Sequence, residues 1–244
     1  MQTIDRTFTV LRALAAEPGT STLADVSRTA ALPRSTVLRL LGALEEQGMT
    51  QSIGGRWALG PGLATLTHQA SPVSALKELA RPHLLELADL IEENASLVIA
   101  DGDGALYIDT AVARSVVSVQ DWTGERLPFH SSAAGLCLMS TWTDQQLTDY
   151  AAAGMTPSTK ATITTLPDLR RRVVHIHENR AVWTLREFSD DVNGVGAPII
   201  GPDGEAIGAI NVYGPDYRFP GPRPVDEITA PLIEACTRIS AQLA

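Results

Sequence analysis

Residues able to contact a nucleic acid cluster between positions 34 and 39. Two arginines and two hydroxyl residues lie at the leading end of a predicted helix: Arg34, Ser35, Thr36 and Arg39. Apolar residues at spacings of three and four occupy its opposite side: Val37, Leu40, Leu41 and Leu44. This periodicity predicts a buried back and an exposed polar front. Guanidinium and hydroxyl groups at the front of a helix suit recognition of base edges and phosphates in a major groove.

A shorter helix is predicted directly before this one, over residues 23–29, with Ser21 or Thr22 as its N-cap. The break between the two helices contains Pro33, which is tolerated at the start of a helix because its missing N–H has no partner to lose there. Two helices joined by a tight break indicate a helix-turn-helix. For residues 20–50 alone, an ordinary helical hairpin remains the alternative.

The flanking segments favour the helix-turn-helix. Residues 4–16 predict an amphipathic helix with these residues facing inward: Ile4, Phe8, Leu11 and Leu14. Residues 48–60 predict a strand, a Gly-Gly turn and a second strand. The order of these elements is that of a winged helix-turn-helix. It places Arg56 in the wing, within reach of phosphate or of a minor groove.

The net charge of −9 is unusual for a protein that binds DNA, but the charge is unevenly distributed. Residues 1–70 contain six arginines and five acidic residues, a net charge of +1, and the remaining residues carry −10. The acidity therefore lies outside the predicted reading module. A nearly neutral module binds DNA weakly as a single copy, so we expect dimerisation to double the contacts.

Length and hydropathy allow one large domain or two modest ones with a proper core: 244 residues, 44% hydrophobic, and a mean hydropathy of +0.04. No apolar run approaches the roughly 20 residues needed to span a bilayer, and the chain does not begin with a signal-peptide core. We expect a cytoplasmic protein that does not enter a membrane. The two cysteines, Cys137 and Cys236, do not make a disulfide framework.

The rest of the chain divides into a helical stretch and an α/β region. A short helix is predicted over residues 63–68, and a longer one from Pro72 to about Glu93. Pro82 is expected to kink or restart the longer helix. Strands are predicted at residues 95–100, 105–110, 116–121, 181–186, 194–200 and 206–213, with helices between and after them. The sequence therefore predicts an α+β fold: a winged helix-turn-helix over 1–62, linker helices over 63–93, and a mixed α/β domain with an antiparallel sheet over 94–244.

Catalytic signatures are missing from the sequence, which lacks the nucleophile-elbow, phosphate-loop, dinucleotide-binding and zinc-protease motifs. Cys137 and Cys236 lie among apolar residues, which favours inert buried thiols. His130, beside two serines, is the only candidate catalytic group, and adjacency in sequence is weak grounds for a site. We therefore expect neither an enzyme nor a bound cofactor.

Four other patterns have simple structural explanations. His175 and His177 are two apart on a predicted helix, so they do not share a face for a metal ion. The turn over residues 101–104 resembles the start of a calcium loop but lacks the later glutamate. The arginines at 170–172 spread around their helix and indicate a solvated face. For the small residues at 133–135, an anion held by backbone N–H groups and close packing on the sheet remain open alternatives.

With these motifs in place, the chain resembles the IclR-type transcriptional regulators over nearly its whole length. The N-terminal motifs are IDRTFTVLRAL, LADVSRTAALPRSTVLRLLGALEEQGM and RWALGPGL; the later ones are GERLPFHSSAAGLCLMS, the segment around Arg186, GAPIIGPDG and AINVYGP. The resemblance implies a GAF-like second domain, a dimer or dimer of dimers on double-stranded operator DNA, and control by a small-molecule effector, often an organic or aromatic acid.

The resemblance also implies positions for the effector pocket. Carried over by motif, they are Val116, Val119, Leu127, Ala133, Ala134, Thr184, Val192, Gly194, Asn211 and Tyr213. The chain departs from the family's pattern at Leu136, Asp191 and Gly194, and in the last strand. The implied lining is mostly apolar and has no arginine or lysine, which favours an aromatic or short branched acid over a highly charged metabolite. A carboxylate would then rely on backbone N–H groups near residues 133 and 134.

Two other classes compete with this hypothesis. One is a small-molecule-binding or enzymatic GAF-like domain that carries a vestigial helix-turn-helix; such a vestige would not need the polar face at residues 34–39. The other is a redox sensor, which requires an exposed reactive thiol and is disfavoured by the apolar neighbours of both cysteines. The sequence leaves repressor and activator equally open.

Overall fold

The computed structural model describes residues 2–16, 19–67, 72–115 and 119–243. The chain forms two compact units, Met1–Ala75 and Leu76–Ala244. No helix within the described ranges is long and apolar enough to cross a membrane.

The first unit contains helices and one hairpin: α1 (Gln2–Ala15), α2 (Leu23–Thr29), α3 (Arg34–Glu46), β1 (Thr50–Ile53), β2 (Arg56–Leu59) and α4 (Gly62–Thr67). Its core joins one face of each of the first three helices to the hairpin through Val10, Leu14, Val26, Val37, Leu41 and Trp57. Helix α2 begins with a capping box, in which Thr22 accepts from the Asp25 N–H and the Asp25 carboxylate accepts from the Thr22 N–H.

The inward face of α1 differs from the prediction. Ile4 and Phe8 are 63% and 58% exposed, whereas Val10 and Leu14 are buried. The apolar periodicity of α1 is real, but the core lies only under its second half. The first two turns therefore contact no apolar core within the described part of this unit.

The break between α2 and α3 is a Schellman motif with an alanine at its left-handed position. The N–H of Leu32 donates to the Ser27 carbonyl at 3.1 Å, and the N–H of Ala31 donates to the Arg28 carbonyl at 3.2 Å. Ala31 has φ of +50°, a conformation that normally favours glycine. The motif ends α2 and lets α3 start at Arg34, directly after Pro33.

The second unit is built on one antiparallel sheet. Its elements are α5 (Pro72–Ile91), β3 (Asn94–Asp101), β4 (Gly104–Ala111), β5 (Arg126–Pro128), α6 (Ala133–Leu138), α7 (Asp144–Ala153), α8 (Leu166–Asn179), β6 (Val182–Leu185), β7 (Val192–Ile200), β8 (Ala206–Pro215) and α9 (Val225–Leu243). The strand order is β5-β4-β3-β8-β7-β6, and every neighbouring pair is antiparallel.

Helices cover both faces of this sheet, and β8 shows the division. Ile210 and Val212 belong to the core shared with α5 and α9. Ala209 and Tyr213 belong to the core shared with α6, α7 and α8. Because successive side chains of a strand point to opposite faces, the sheet carries two separate cores. Asn211 lies on the same face as Tyr213 and is buried there.

Helix α5 continues through Pro82 without the predicted restart. Proline removes the hydrogen bond to the carbonyl of Glu78, four residues earlier. Both residues lie on the exposed side of the helix, where the Glu78 carbonyl is not enclosed by the apolar core. Two apolar residues of this helix, Val73 and Leu90, are also exposed.

The strand predicted over residues 116–121 does not form in its described part. Residues 116–118 lie outside the described ranges, and residues 119–121 are irregular. The edge of β4 that faces away from β3 pairs with β5, and Gly104 lies opposite Pro128 there. Side chains hold the segment instead: Asn94 Nδ2 donates to the Val119 carbonyl at 2.8 Å, and the Tyr213 hydroxyl donates to the Gln120 carbonyl at 3.4 Å.

Candidate functional site

The polar front predicted for α3 lies on the surface of the first unit. Arg34, Ser35 and Arg39 are exposed and Thr36 is half-buried, while Val37 and Leu41 on the opposite side are fully buried. Neither arginine forms a hydrogen bond or ion pair with a residue that the structure describes. Their charges are therefore available to an external partner.

One residue on this face was missed by the sequence reasoning. Leu38 is 49% exposed and lies three residues after Ser35, so the two share a side of the helix. An apolar side chain at this position suits contact with a thymine methyl group. The available signal was that Leu38 falls outside the buried stripe formed by Val37 and Leu41.

Arg56 lies in the wing, as predicted, but its guanidinium already has partners. Its Nε donates to the Thr20 Oγ1 at 2.9 Å, and its Nη2 donates to the Thr20 carbonyl at 2.6 Å. Both central residues of the preceding turn, Gly54 and Gly55, have positive φ, as a two-residue hairpin requires. Arg56 therefore joins the wing to the segment before α2, and its remaining N–H groups are left for an outside acceptor.

A small cavity of about 30 Å³, partly open to the surface, lies in the second unit between the sheet and α6. Seven of the residues carried over for the effector pocket line it: Leu127, Ala133, Thr184, Val192, Gly194, Asn211 and Tyr213. Three others do not. Val116 lies outside the described residues, Val119 packs beside the same core, and Ala134 is fully buried behind the lining.

The sequence reasoning missed four lining residues, three of which are aromatic: Tyr107, Trp122, Ser132 and Phe188. Trp122 and Phe188 come from loops, and their ring centroids are 4.5 Å apart in an edge-on arrangement. Tyr107 and Tyr213 come from β4 and β8 and also meet edge-on, at 6.3 Å. Strand alternation shows that Tyr107 points to one of the two faces of the sheet but does not say which. Nothing in the local sequence predicts that a tryptophan in a loop packs against the sheet.

The lining is neutral, with two unpaired polar atoms. None of the described residues that line the cavity is an arginine, lysine, histidine, aspartate or glutamate. Burial raises the pKa of both Tyr107 and Tyr213, so both phenols stay protonated. Trp122 Nε1 and Asn211 Oδ1 are buried and have no hydrogen-bond partner in the described part of the chain. Such an atom typically costs about 1–3 kcal/mol, so the pair calls for a functional explanation.

Residues 68–241 match the family described as bacterial transcriptional regulator IclR C-terminal, and residues 3–53 match the IclR helix-turn-helix domain. The chain belongs to the IclR family. Members of this family are DNA-binding transcriptional regulators with an effector-binding C-terminal domain, and this IclR protein is therefore a regulator and not an enzyme.

Individual relatives agree with this assignment. The HTH-type transcriptional regulator Rv1719 of Mycobacterium tuberculosis is 31% identical over 225 residues, covering 91% of this chain and 85% of that protein. A crystallised Silicibacter protein assigned to the IclR regulators has a TM-score of 0.75 at 24% identity, covering 100% of this chain and 96% of its own. An IclR homologue from Microbacterium hydrocarbonoxydans in complex with 4-hydroxybenzoate has a TM-score of 0.64 at 24% identity, covering 99% and 98%. The two structures share the fold, which confirms the predicted helix-turn-helix and antiparallel α/β architecture.

The small residues of α6 in this IclR protein are explained by close packing. A Cβ added to Gly135 would lie 2.3 Å from the Phe129 carbonyl oxygen, and one added to Gly196 would lie 2.8 Å from the Ala133 backbone. The helix therefore rests directly on its neighbours. Close packing of α6 therefore explains the small residues at 133–135 without an anion bound to their backbone N–H groups.

The candidate redox, catalytic and metal-binding side chains have structural roles. Cys137 and Cys236 are buried, and burial raises the pKa of both thiols, that of Cys236 to about 12. His130 Nδ1 lies 2.7 Å from the Tyr150 hydroxyl. The arginines at 170–172 contact Asp144, Asp168 and Glu187 respectively. No metal-binding cluster occurs within the described residues.

Proposed function

We propose that this IclR-family regulator reads its operator with α3 and changes its operator affinity when an aromatic acid enters the cavity of the second unit. Arg34, Ser35, Thr36 and Arg39 contact bases and phosphates, Leu38 contacts a thymine methyl, and Arg56 contacts the backbone. Residues 1–62 are the reader, 63–93 the linker helices, and 94–244 the effector-binding domain. The protein acts in the cytoplasm as a homodimer or a dimer of dimers, which multiplies the contacts of a weakly charged reader.

The observation that carries the reader assignment is the pair of exposed, unpaired arginines on α3. Arg34 and Arg39 are held on a helix whose other side is fixed in the core by Val37 and Leu41. A rigid helix places its guanidinium groups precisely, and bidentate contact of arginine with guanine is the commonest specific contact in the major groove. The hydroxyls of Ser35 and Thr36 add short hydrogen-bonding groups beside them.

The test is a DNA titration against fragments of the promoter upstream of the protein's own gene, at two salt concentrations. Arg39→Ala is expected to weaken operator binding by about 5- to 100-fold and to relax preference at one base position. Arg56→Ala is expected to lower the salt slope by about one, without a change of sequence preference. Arg12→Ala is the matched control, because Arg12 is exposed on α1 and lies outside the reading face. Unchanged affinity in Arg39→Ala would remove α3 from the reader role.

The proposed effector class rests on the neutral lining and its polar groups. Most of the lining consists of apolar side chains and aromatic rings. Thr184, Asn211 and Tyr213 are among the lining residues that can form hydrogen bonds with a ligand. With no cation in the described lining, a multiply charged metabolite would lose its hydration without gaining an ion pair. The Microbacterium homologue that holds 4-hydroxybenzoate supports an aromatic acid as the ligand class.

A thermal-shift panel tests this class. Aromatic monocarboxylates are expected to raise the melting temperature and to change operator affinity, whereas citrate and similar polyanions are not. To act as an effector, the ligand must bind the two states of the regulator unequally. A panel in which only polyanions stabilise the protein would contradict the proposal.

A further inference from the structure

We propose that the indole of Trp122 occupies the place of the effector's ring, and that a ligand enters by displacing it and donating a hydrogen bond to Asn211 Oδ1. This inference rests on the proposed effector role of the cavity and goes beyond it. It names the side chain that must move and the group that selects the ligand.

The cavity is too small for a ring as it stands. It measures about 30 Å³, whereas sites for small organic ligands usually measure about 300–1,000 Å³. A one-ring ligand therefore enters only if a lining side chain leaves. The indole of Trp122 is the largest lining side chain and is larger than a benzene ring, so its departure opens a ring-sized space.

Trp122 differs from the other rings of the lining in what its departure releases. Tyr107 and Tyr213 lie on β4 and β8, inside the sheet. Phe188 and Trp122 both lie in irregular segments, and Phe188 is the more exposed of the two. Of these two, Trp122 has a buried N–H without an acceptor in the described chain, so its departure relieves a desolvation cost that the departure of Phe188 would not.

The backbone beside Trp122 remains in place while its indole turns. The Gly124 N–H donates to the Tyr107 carbonyl at 2.8 Å, and the Tyr107 N–H donates to the Glu125 carbonyl at 3.0 Å. These bonds fix the turn to β4, so the movement is a rotation of the side chain toward solvent. At its present position the indole lies against three rings, with centroid distances of 4.5 Å to Phe188 and 6.1 Å to both Tyr107 and Tyr213.

Two polar atoms at the cavity are unpaired. Trp122 Nε1 has no acceptor and Asn211 Oδ1 has no donor within the described chain, although both residues are more than nine-tenths buried. The Asn211 amide is oriented by its own Nδ2, which donates to the Tyr107 hydroxyl at 3.2 Å and leaves Oδ1 toward the cavity. Displacement lets the indole N–H reach water, and a ligand hydroxyl or N–H satisfies Oδ1. Both unpaired atoms gain a partner in one exchange.

The ligand class that fits is a single aromatic ring bearing a hydrogen-bond donor. The ring replaces the indole against Tyr107, Tyr213 and Phe188, where edge-on aromatic contacts are favoured. The donor distinguishes a phenol from the same ring without a hydroxyl. A site built around an acceptor rejects a ligand that lacks the matching donor.

Calorimetric titration with two probes, 4-hydroxybenzoate and benzoate, tests both parts. The wild-type protein is expected to bind 4-hydroxybenzoate about tenfold more tightly than benzoate. In Trp122→Leu both affinities rise by about fivefold or more, because no indole has to be displaced, and the ratio is kept. In Asn211→Leu the ratio falls to about one, because the acceptor is gone.

Control variants separate displacement from general loosening. Trp142→Leu removes an indole that packs against Phe129 and Tyr150, away from the lining, and is expected to leave both affinities unchanged. Trp122→Phe retains a ring and isolates the emission of Trp122 by difference from the wild type. That emission shifts to longer wavelength when 4-hydroxybenzoate binds, because the indole becomes hydrated.

The outcomes distinguish this inference from the proposed function. Equal affinities in the wild type and Trp122→Leu, with constant Trp122 emission, overturn the displacement. If the ligand still alters operator binding in that case, the effector role stands. The predicted pattern of affinities without any effect on operator binding supports the displacement and removes the effector role. Failure of both probes to bind overturns the inference, and a different compound that alters operator binding would keep effector control.

Discussion

The side-chain amide of Asn211 donates to the Tyr107 hydroxyl across 3.2 Å, joining β8 to β4 across the intervening strand β3. Both residues are buried, and the side-chain Nδ2 of Asn211 has no other partner among the described residues. The bond therefore sets the orientation of the only side-chain amide among the described residues of the cavity lining.

Tyr107→Phe removes the acceptor and leaves that amide N–H unpaired. We expect a loss of about 1–2 kcal/mol in the free energy of unfolding, since a buried donor keeps its desolvation cost without its bond. Denaturant titration measures the loss. Tyr217→Phe is the matched control, because Tyr217 is exposed and its hydroxyl removal should change stability by under about 0.5 kcal/mol. Equal stability of the two variants would show that the bond is not formed in solution.

Two glycines of β7 are expected to respond oppositely to a methyl group, although they point to the same face. At Gly194 an added Cβ would lie 3.4 Å from Thr184 Oγ1 and 3.5 Å from Asn211 Oδ1, which is ordinary contact. At Gly196 it would lie 2.8 Å from the backbone of Ala133. Gly196→Ala should therefore lose about 1–3 kcal/mol by overpacking α6, while Gly194→Ala folds normally.

The same Gly194→Ala variant should bind an aromatic acid more weakly, because its methyl group projects into the lining of the cavity. Melting temperatures and ligand titrations of the two variants check both statements. A normally stable Gly196→Ala would contradict the direct contact of α6 with the sheet.

Ala31 offers a stabilising change in the turn of the helix-turn-helix. Its φ of +50° costs an alanine roughly 1–2 kcal/mol relative to right-handed backbone, and glycine avoids this cost. After the greater flexibility of the unfolded glycine is subtracted, Ala31→Gly should raise the free energy of unfolding by about 0.5–1 kcal/mol. Ala30→Gly, one residue earlier in right-handed conformation, should lower it. Thermal unfolding of both variants decides the sign.

His130 gives the protein a pH-dependent stability. Burial lowers the pKa of His130 below its ordinary value of 6.5, so the folded state holds a neutral ring. The contribution is present above the unfolded pKa and is lost as the pH falls below 6.5 toward the folded pKa. Stability should therefore decrease on acidification, by at most about 1.4 kcal/mol per pH unit from this group.

The His130→Asn variant should show a flatter stability profile as the pH falls below 6.5. His177→Gln is the control, since His177 is exposed on α8 and should leave the profile unchanged. Chemical denaturation at several pH values gives the comparison. A wild-type profile identical to that of His130→Asn would assign the pH dependence to other groups.

The DNA-reading unit was predictable because its signals are local. The apolar spacing of α3, the cap at Thr22 and the glycine pair at 54–55 each act within a few residues. These signals gave the bounds of α2 as residues 23–29, as observed, and placed the hairpin within residues 48–60. The same logic failed at Ile4 and Phe8, because periodicity reports an apolar stripe and not what lies opposite it.

The cavity was predictable only through motifs shared with the IclR family. Those motifs identified positions along β6, β7 and β8, and they missed Tyr107, Trp122 and Phe188. Whether Tyr107 faces the α6 side of the sheet depends on the register of β4 against β3, which shifts between Leu97 and Val98. A one-residue change in register reverses the face, and no pattern within β4 reports it.

By itself, the sequence determined the helices, the hairpins and the helix-turn-helix, because helical periodicity, capping and turn residues act between near neighbours. It determined the family through motifs along the chain. Only the tertiary structure decided that Trp122 lies beside Asn211, that both carry unpaired polar atoms, and that the cavity between them is smaller than a ring. Those facts follow from packing between segments that are distant in the sequence. The fold decides which side chains meet there and how much volume remains between them.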